Sequence, residues 1–207
     1  MSQLNRFESG KKLAENPDWV RKYAEQGKNY PLTLEVDPTN LCPLNCGYCI
    51  WKDFRYDARA SLSPQVLQRI PHEAAELGVK SIIWTGGDDP LANLSTPAAI
   101  QTSTELSLKN AMFTSAVSMS PRVSEILLDN LSWVRFHVDG ATPETYGKVH
   151  CVLPRVFTKV IENIRYFTKR REEIGSKTSA GIGTVALEEN LAESPLLARL
   201  SKSLGLD

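Results

Sequence analysis

An α/β fold with a parallel sheet is what this sequence asks for. Short apolar runs of strand length alternate with amphipathic stretches of helical period. Ser-Pro or Thr-Pro pairs open most of the latter, as a helix with a polar cap and a proline in its first turn requires. Residues suited to chemistry fall directly after the apolar runs. Five strands alternating with five helices imply parallel βαβ units with right-handed crossovers, arranged as a barrel or as a doubly wound sheet. Both arrangements place ligands at the C-terminal ends of the strands.

The elements follow in order. Residues 1–30 are charged and form a partly helical N-terminal extension, with Asn16-Pro17-Asp18 opening a helix before Trp19, Val20 and Tyr23. The core spans 31–207. "PLTLEVD" (31–37) alternates apolar and polar residues as a strand does. Ser63-Pro64 starts a helix whose Val66, Leu67, Ile70, Ala74 and Leu77 share a face, and Gly78 closes it. "SIIWT" (81–85) is the second strand. Thr96-Pro97, Ser120-Pro121 and Ser194-Pro195 repeat the helix-opening punctuation, while "AMFTSAV" (111–117), "WVRFHVD" (133–139) and "AGIGTVAL" (180–187) supply the remaining strands. The longest helix begins near Arg155 and carries Phe157, Val160, Ile161, Ile164 and Thr168 on one side. Gly205 reads as a further helix end, after which a sixth strand is expected; a truncated chain is the reading this favours.

Composition narrows the function. Lysine plus arginine (24) balances aspartate plus glutamate (24), and no basic stripe is visible, so no nucleic-acid partner is expected. No stretch is apolar for long enough to span a bilayer, and "MSQLNRFESGKK" lacks a signal-peptide core. The expected location is the cytoplasm, where clustered thiols stay reduced and bind metal more often than they pair.

Three of the four cysteines lie in "CPLNCGYC" (42–49) with the spacing C-x3-C-x2-C; Cys151 stands far away and reads as an ordinary packed thiol. A structural zinc site asks for four protein ligands, as does a fully protein-held 4Fe–4S cluster. Three thiolates leave one iron of such a cluster open to an exogenous ligand. The competing reading is a zinc knuckle completed by a histidine. Of the three histidines, His72 falls in a helix, His137 in a strand and His150 beyond Tyr146, and none has knuckle spacing.

"NLCPLNCGYC" resembles the cluster motif of the radical S-adenosylmethionine superfamily, C-x3-C-x-Φ-C, with Tyr48 as the aromatic. The resemblance covers the chain from about residue 30 onward. It implies a partial TIM-type parallel barrel, of which this chain holds five of six (βα) units. It also implies a 4Fe–4S cluster on Cys42, Cys46 and Cys49, with S-adenosylmethionine on the open iron. Reductive cleavage to a 5′-deoxyadenosyl radical would then abstract hydrogen from a peptide or small-molecule substrate, with electrons from a donor such as flavodoxin or ferredoxin.

The remaining motifs fall in family order. "WTGGDDPL" (84–91) is similar to the Gly-Gly-Glu segment, which implies that Gly86, Gly87 and Asp89 receive the methionine end. "VRFHVDGATPETYGKVH" (134–150) is similar to the ribose-facing strand, with Asp139 and His137 in that role and His150 or Lys148 facing the methionine carboxylate. Tyr48 and the fifth strand would meet the adenine. Trp51 and Phe54 would shield the cluster.

Departures from the family pattern are specific: Asp88 where a third glycine is common, His137 where serine is common, and Ser115 in "FTSAV" where the family has threonine-asparagine-glycine. Two other readings remain beside the enzyme. One is a non-catalytic iron–sulfur or zinc module that binds a partner; the other is a radical-enzyme fold that has lost its cosubstrate.

Overall fold

The computed structural model describes residues 13–53 and 60–207. Five strands, β1 (Thr33–Val36), β2 (Ser81–Trp84), β3 (Lys109–Thr114), β4 (Leu131–His137) and β5 (Ser179–Gly183), form one sheet. Every pairing is parallel and the spatial order is the chain order, β1 through β5. A doubly wound sheet reverses its winding at a switch point. This one never does, so it is the barrel alternative, curling in a single direction.

Helix α1 (Pro17–Gln26) precedes the sheet and buries none of its residues. It is tied down by the Trp19 indole N–H, which donates to the Tyr30 carbonyl at 2.7 Å. The helices α2 (Pro64–Glu76), α3 (Thr96–Glu105), α4 (Pro121–Asn130), α5 (Pro143–His150), α6 (Arg155–Glu173) and α7 (Ser194–Ser203) follow. Single 3-10 turns sit at Pro90–Ala92 and Leu191–Glu193.

Capping explains where the helices start. Ser63 and Ser120 accept the N–H of Val66 and of Val123, each at 3.3 Å, and each precedes a proline. Thr96 and Ser194 depart from that expectation: each is the first helical residue, and its hydroxyl donates backward, to Pro90 O and Leu191 O. Gly78, at φ 79, closes α2 as expected, but Leu77 lies at the C-cap past the last core-facing turn and is exposed.

Alternation along the strands sorts the two faces of the sheet. The row Val36–Trp84–Met112–Val134–Ala180 runs in register across all five strands and is buried. The helical layer covers it. In α6 the buried side is Phe157, Val160, Ile161, Ile164, Phe167 and Thr168, and Phe167 meets Phe136 edge-on at 5.4 Å. Each large apolar side chain buried this way is worth about 1.5–3 kcal/mol. Trp84 keeps its indole N–H satisfied in the core by donating to Asn110 Oδ1 at 2.9 Å. The opposite face carries Glu35, Ile83, Ala111 and Trp133 in register, then Phe113 beside Arg135, then His137 beside Gly183. These are less buried than the helix-side row, apart from Ala111. They form the concave side of the curl.

Candidate active site

Parallel strands end at one rim, and the chemistry-bearing segments collect there. Asp37 and the cysteine loop follow β1, Gly86–Asp89 follow β2, Ser115 follows β3, Asp139 follows β4 and Val185 follows β5. The cysteine loop is held by backbone. Asn45 N–H donates to His150 O at 3.0 Å and Gly47 N–H to Val149 O at 3.1 Å. These are carbonyls of the last turn of α5, which have no partner within their own helix. The far end of the loop is fastened by Asn93, whose side-chain nitrogen lies 3.0 Å from Pro38 O, from Ser61 Oγ and from Leu62 O.

Cys46 is buried, whereas Cys42 and Cys49 are half-buried and Cys151 is exposed; all four are free thiols. Burial, aided by the charges of Cys42, Asp139 and Cys49, pushes the Cys46 thiol up to about 12. A buried thiol of this kind gives up its proton to a metal rather than to water at neutral pH. Cys151 departs from the packed thiol expected: it caps α5 in the left-handed region at φ 50, with its sulfur 3.6 Å from Lys148 O. Phe54 lies outside the described residues.

The two glycines after β2 are demanded by neighbours. A Cβ on Gly86, itself at φ 136, would lie 2.1 Å from the Asp37 carboxylate; one on Gly87 would lie 2.5 Å from the Trp51 indole. Asp37 Oδ2 also accepts the Gly87 N–H at 3.0 Å. The Gly87 carbonyl lies 4.0 Å from Cys49 Sγ, so this segment lines the cysteine loop directly.

Asp89 is 2 % exposed and its carboxylate is engaged. It accepts from Leu91 N–H at 3.0 Å, Thr114 Oγ1 at 2.9 Å, Ser115 N–H at 3.1 Å and the Ser115 hydroxyl. It thereby joins the ends of β2 and β3. Ser115, which stands where the family pattern departs, is bound to this acid through both its N–H and its hydroxyl.

Asp139, fully buried, does the same for β4. Its Oδ1 accepts Val185 N–H at 2.7 Å, its Oδ2 accepts the Tyr48 hydroxyl, and its carbonyl accepts from Asn190 Nδ2 at 3.0 Å. Burial and the hydrogen bond to Asp139 keep the Tyr48 phenol protonated. His150 is 1 % exposed; Nδ1 lies 3.0 Å from Cys46 Sγ and Nε2 accepts the Asp139 N–H at 3.2 Å. Burial lowers its pKa to about 4, against the pull of Asp139, so the ring is neutral at physiological pH. His150 therefore sits behind the cysteine loop. Lys148, the other candidate, is exposed on α5. His137 stands half-buried at the end of β4, with its ring 5.9 Å from that of Phe113.

Three participants went unread in the sequence. Asp37 packs against Gly86. Glu193 gathers Ala141 N–H at 2.7 Å, Thr142 Oγ1 at 2.8 Å and Thr145 Oγ1 at 2.6 Å. Tyr146 is fully buried, its hydroxyl has no hydrogen-bond partner among the described residues, and burial, with the charges of Cys46, Asp139, Asp89 and Cys42, keeps its phenol protonated. The signal for Tyr146 was present: Thr142-Pro143 opens a helix on which Tyr146 and His150 are four residues apart, their rings 4.1 Å from centroid to centroid.

These features fit an iron–sulfur cluster. Three free thiols lie on one loop at the C-terminal rim of the sheet, beside the Gly87 carbonyl, which is the soft-donor set that iron–sulfur clusters use. Among the described residues no three His, Cys, Asp or Glu side chains converge on a single metal ion. A four-iron cluster does not require that, because each cysteine binds a different iron.

A parallel half-barrel with a three-cysteine loop at the C-terminal rim defines a class of cluster-dependent enzyme. The sequence profile of the Radical SAM superfamily matches residues 36–193, and the chain belongs to that superfamily. Its cofactors are accordingly a 4Fe–4S cluster and S-adenosylmethionine. Among curated relatives, a probable GTP 3′,8-cyclase of Methanosarcina acetivorans is 28% identical over 135 residues, 63% of this chain and 40% of the relative. A PqqA peptide cyclase of Methylobacterium sp. is 27% identical over 180 residues, 84% of this chain and 44% of the relative. The chain thus spans less than half the length of these relatives. Among solved structures, Streptococcus suis SuiB bound to precursor peptide SuiA superposes with a TM-score of 0.73 at 20% identity, over 98% of this chain and 44% of that one. Native anSMEcpe with bound AdoMet gives 0.54 at 18% identity, over 72% of this chain and 43% of that one. Both share the fold.

Proposed function

We propose that this chain is the catalytic core of a radical S-adenosylmethionine enzyme acting on a peptide or small-molecule substrate. The observation that carries the reading is the cysteine loop: three thiols and no fourth within it, set against Gly87 and against His150 of α5 at the C-terminal rim of the sheet. Cys42, Cys46 and Cys49 hold the cluster. When bound, the cluster and its cosubstrate supply the hydrogen-abstracting radical chemistry of the family.

The chain's own residues orient and shield. Gly86 and Gly87, backed by Asp37 and Trp51, present backbone to the methionine end, while Asp89 fixes that backbone to β3. His137, half-buried on the rim, faces the ribose. Asp139 holds Tyr48 beside the adenine and ties it to the segment after β5. His150 sits behind Cys46. Trp51 covers Gly87 and limits water at the loop.

Support for the substrate class comes from the relatives, two of which are a GTP cyclase and a peptide cyclase by name, and from SuiB with its precursor peptide. The concave face, with Glu35 and Arg135 among apolar neighbours, is the surface that would receive it. Electrons would come from a small donor such as a flavodoxin or ferredoxin. Among the described residues no helix is long and apolar enough to cross a membrane.

The test is anaerobic reconstitution with iron and sulfide, followed by S-adenosylmethionine and dithionite. 5′-Deoxyadenosine should accumulate in the wild type and not in Cys46→Ala. An intact cluster without that product would refute the catalytic reading.

A further inference from the structure

The imidazole of His150 is oriented by two contacts, and together they determine which nitrogen carries its proton. Nε2 lies 3.2 Å from the backbone nitrogen of Asp139, which can only donate. Nε2 must therefore offer its lone pair. In a neutral ring the proton then resides on Nδ1, and Nδ1 lies 3.0 Å from Cys46 Sγ. The opposite tautomer would set two N–H groups against each other at the Asp139 contact. No water competes for the ring, which is 1 % exposed. The Tyr146 ring, tilted against it with centroids 4.1 Å apart, packs on the imidazole. The Asp139 carboxylate does not claim Nε2 either. Its oxygens are engaged by Val185 and Tyr48, and the nearer one stands 3.6 Å from that nitrogen.

We infer that His150 is a positioning residue that donates an N–H···S hydrogen bond from Nδ1 to the Cys46 sulfur and thereby raises the reduction potential of the cluster. The inference rests on the proposed cluster reading and deepens it. A donor aimed at a ligating sulfur favours the more negative, reduced state, and hydrogen bonds to the sulfurs are among the protein's means of setting cluster potential. The geometry is built before any cluster arrives, because the Asp139 amide and the α5 backbone hold the ring. No residue outside the radical core is needed. The cluster must accept an electron before it can cleave S-adenosylmethionine, so this contact acts on the step that starts turnover.

The test compares two substitutions. His150→Leu removes the donor, whereas His150→Asn places an amide nitrogen near the position of Nδ1 and retains one. Both leave the Asp139 N–H without its acceptor, so that cost cancels between them. The chains are reconstituted anaerobically, iron and sulfide per chain are counted, and the one-electron midpoint is measured by mediated titration with electron paramagnetic resonance. With equal cluster content, His150→Leu should be harder to reduce. The expected change is about tenfold in its oxidised-to-reduced ratio at fixed potential, or about 59 mV for one electron. His150→Asn should lie closer to wild type. Cluster retained in His150→Asn but lost in His150→Leu would also support the bond. Equal midpoints in all three chains would overturn it while leaving the cluster reading intact. Loss of cluster from both variants would make ring packing the requirement and would also overturn it. A wild-type chain that takes up no cluster would refute the cluster reading and this inference together.

Discussion

Tyr146 carries a hydroxyl that the fold has removed from water without giving it a hydrogen-bond partner among the described residues. A buried hydroxyl left without a partner costs about 1–3 kcal/mol. Burial holds its phenol protonated, with the charges of Cys46, Asp139 and Asp89 acting in the same direction. Tyr146→Phe keeps the ring that packs against His150 and removes only the oxygen. In the cluster-free chain it should therefore be neutral or stabilising, by up to about 1 kcal/mol in urea unfolding. A variant less stable than wild type before cluster loading would mean that the hydroxyl already has a partner. Gly86 makes a complementary point at the same scale. Its need for glycine arises from φ 136 and from an Asp37 carboxylate against its Cα, so part of what reads in sequence as ligand clearance is packing within the protein.

Helix α5 connects these residues to the fold, and its first turn is where it is most exposed to perturbation. Thr142 Oγ1 accepts the Thr145 N–H at 3.3 Å and donates to Glu193 at 2.8 Å, so one hydroxyl both caps the helix and ties it to the segment after β5. Ser120 caps α4 by accepting the Val123 N–H. Replacing either cap by alanine should cost about 1 kcal/mol of stability. Only Thr142→Ala should also lower the iron retained after reconstitution, because the last turn of α5 accepts the N–H groups of Asn45 and Gly47. Urea midpoints and iron counts on the two variants separate the local effect from the global one.

The same helix shows what the sequence conveyed and what it withheld. Thr142-Pro143 is the signature that correctly opened α2 and α4, but eight residues hold too few turns for a hydrophobic period, and the preceding Gly140-Ala141 reads as loop. Helix α6 was plain because 19 residues repeat the pattern several times. The cysteines were plain because cluster chemistry constrains their spacing. The partners of Asp89 and Asp139 were hidden, since Thr114 lies 25 and Val185 46 residues away and no local pattern encodes such a pairing. Their likeness to ligand-contacting acids was visible, while their engagement by neighbouring loops was not.

At the scale of the whole molecule, the rim is only as well placed as the strands beneath it. Every crossover advances one strand in the same direction, so the cysteine loop, Asp89 and Asp139 are neighbours because β1 through β4 keep register along buried rows. Asp139 lies just beyond the end of β4, and Phe136, near that end, is packed by Phe167 of α6 on the far side of the sheet. Phe167→Ala opens a cavity in a fully buried position and should cost about 3–5 kcal/mol, a large part of the stability of a domain this size. Leu94, 92 % exposed, has no such packing, and Leu94→Ala should change stability by less than about 0.5 kcal/mol. If the rim depends on the register of the sheet, Phe167→Ala will also retain less iron than Leu94→Ala when both are reconstituted under conditions where unfolding measurements find them folded. Equal iron content in the two folded chains would show that the cysteine loop and α5 maintain the cofactor site without help from the packing of β4.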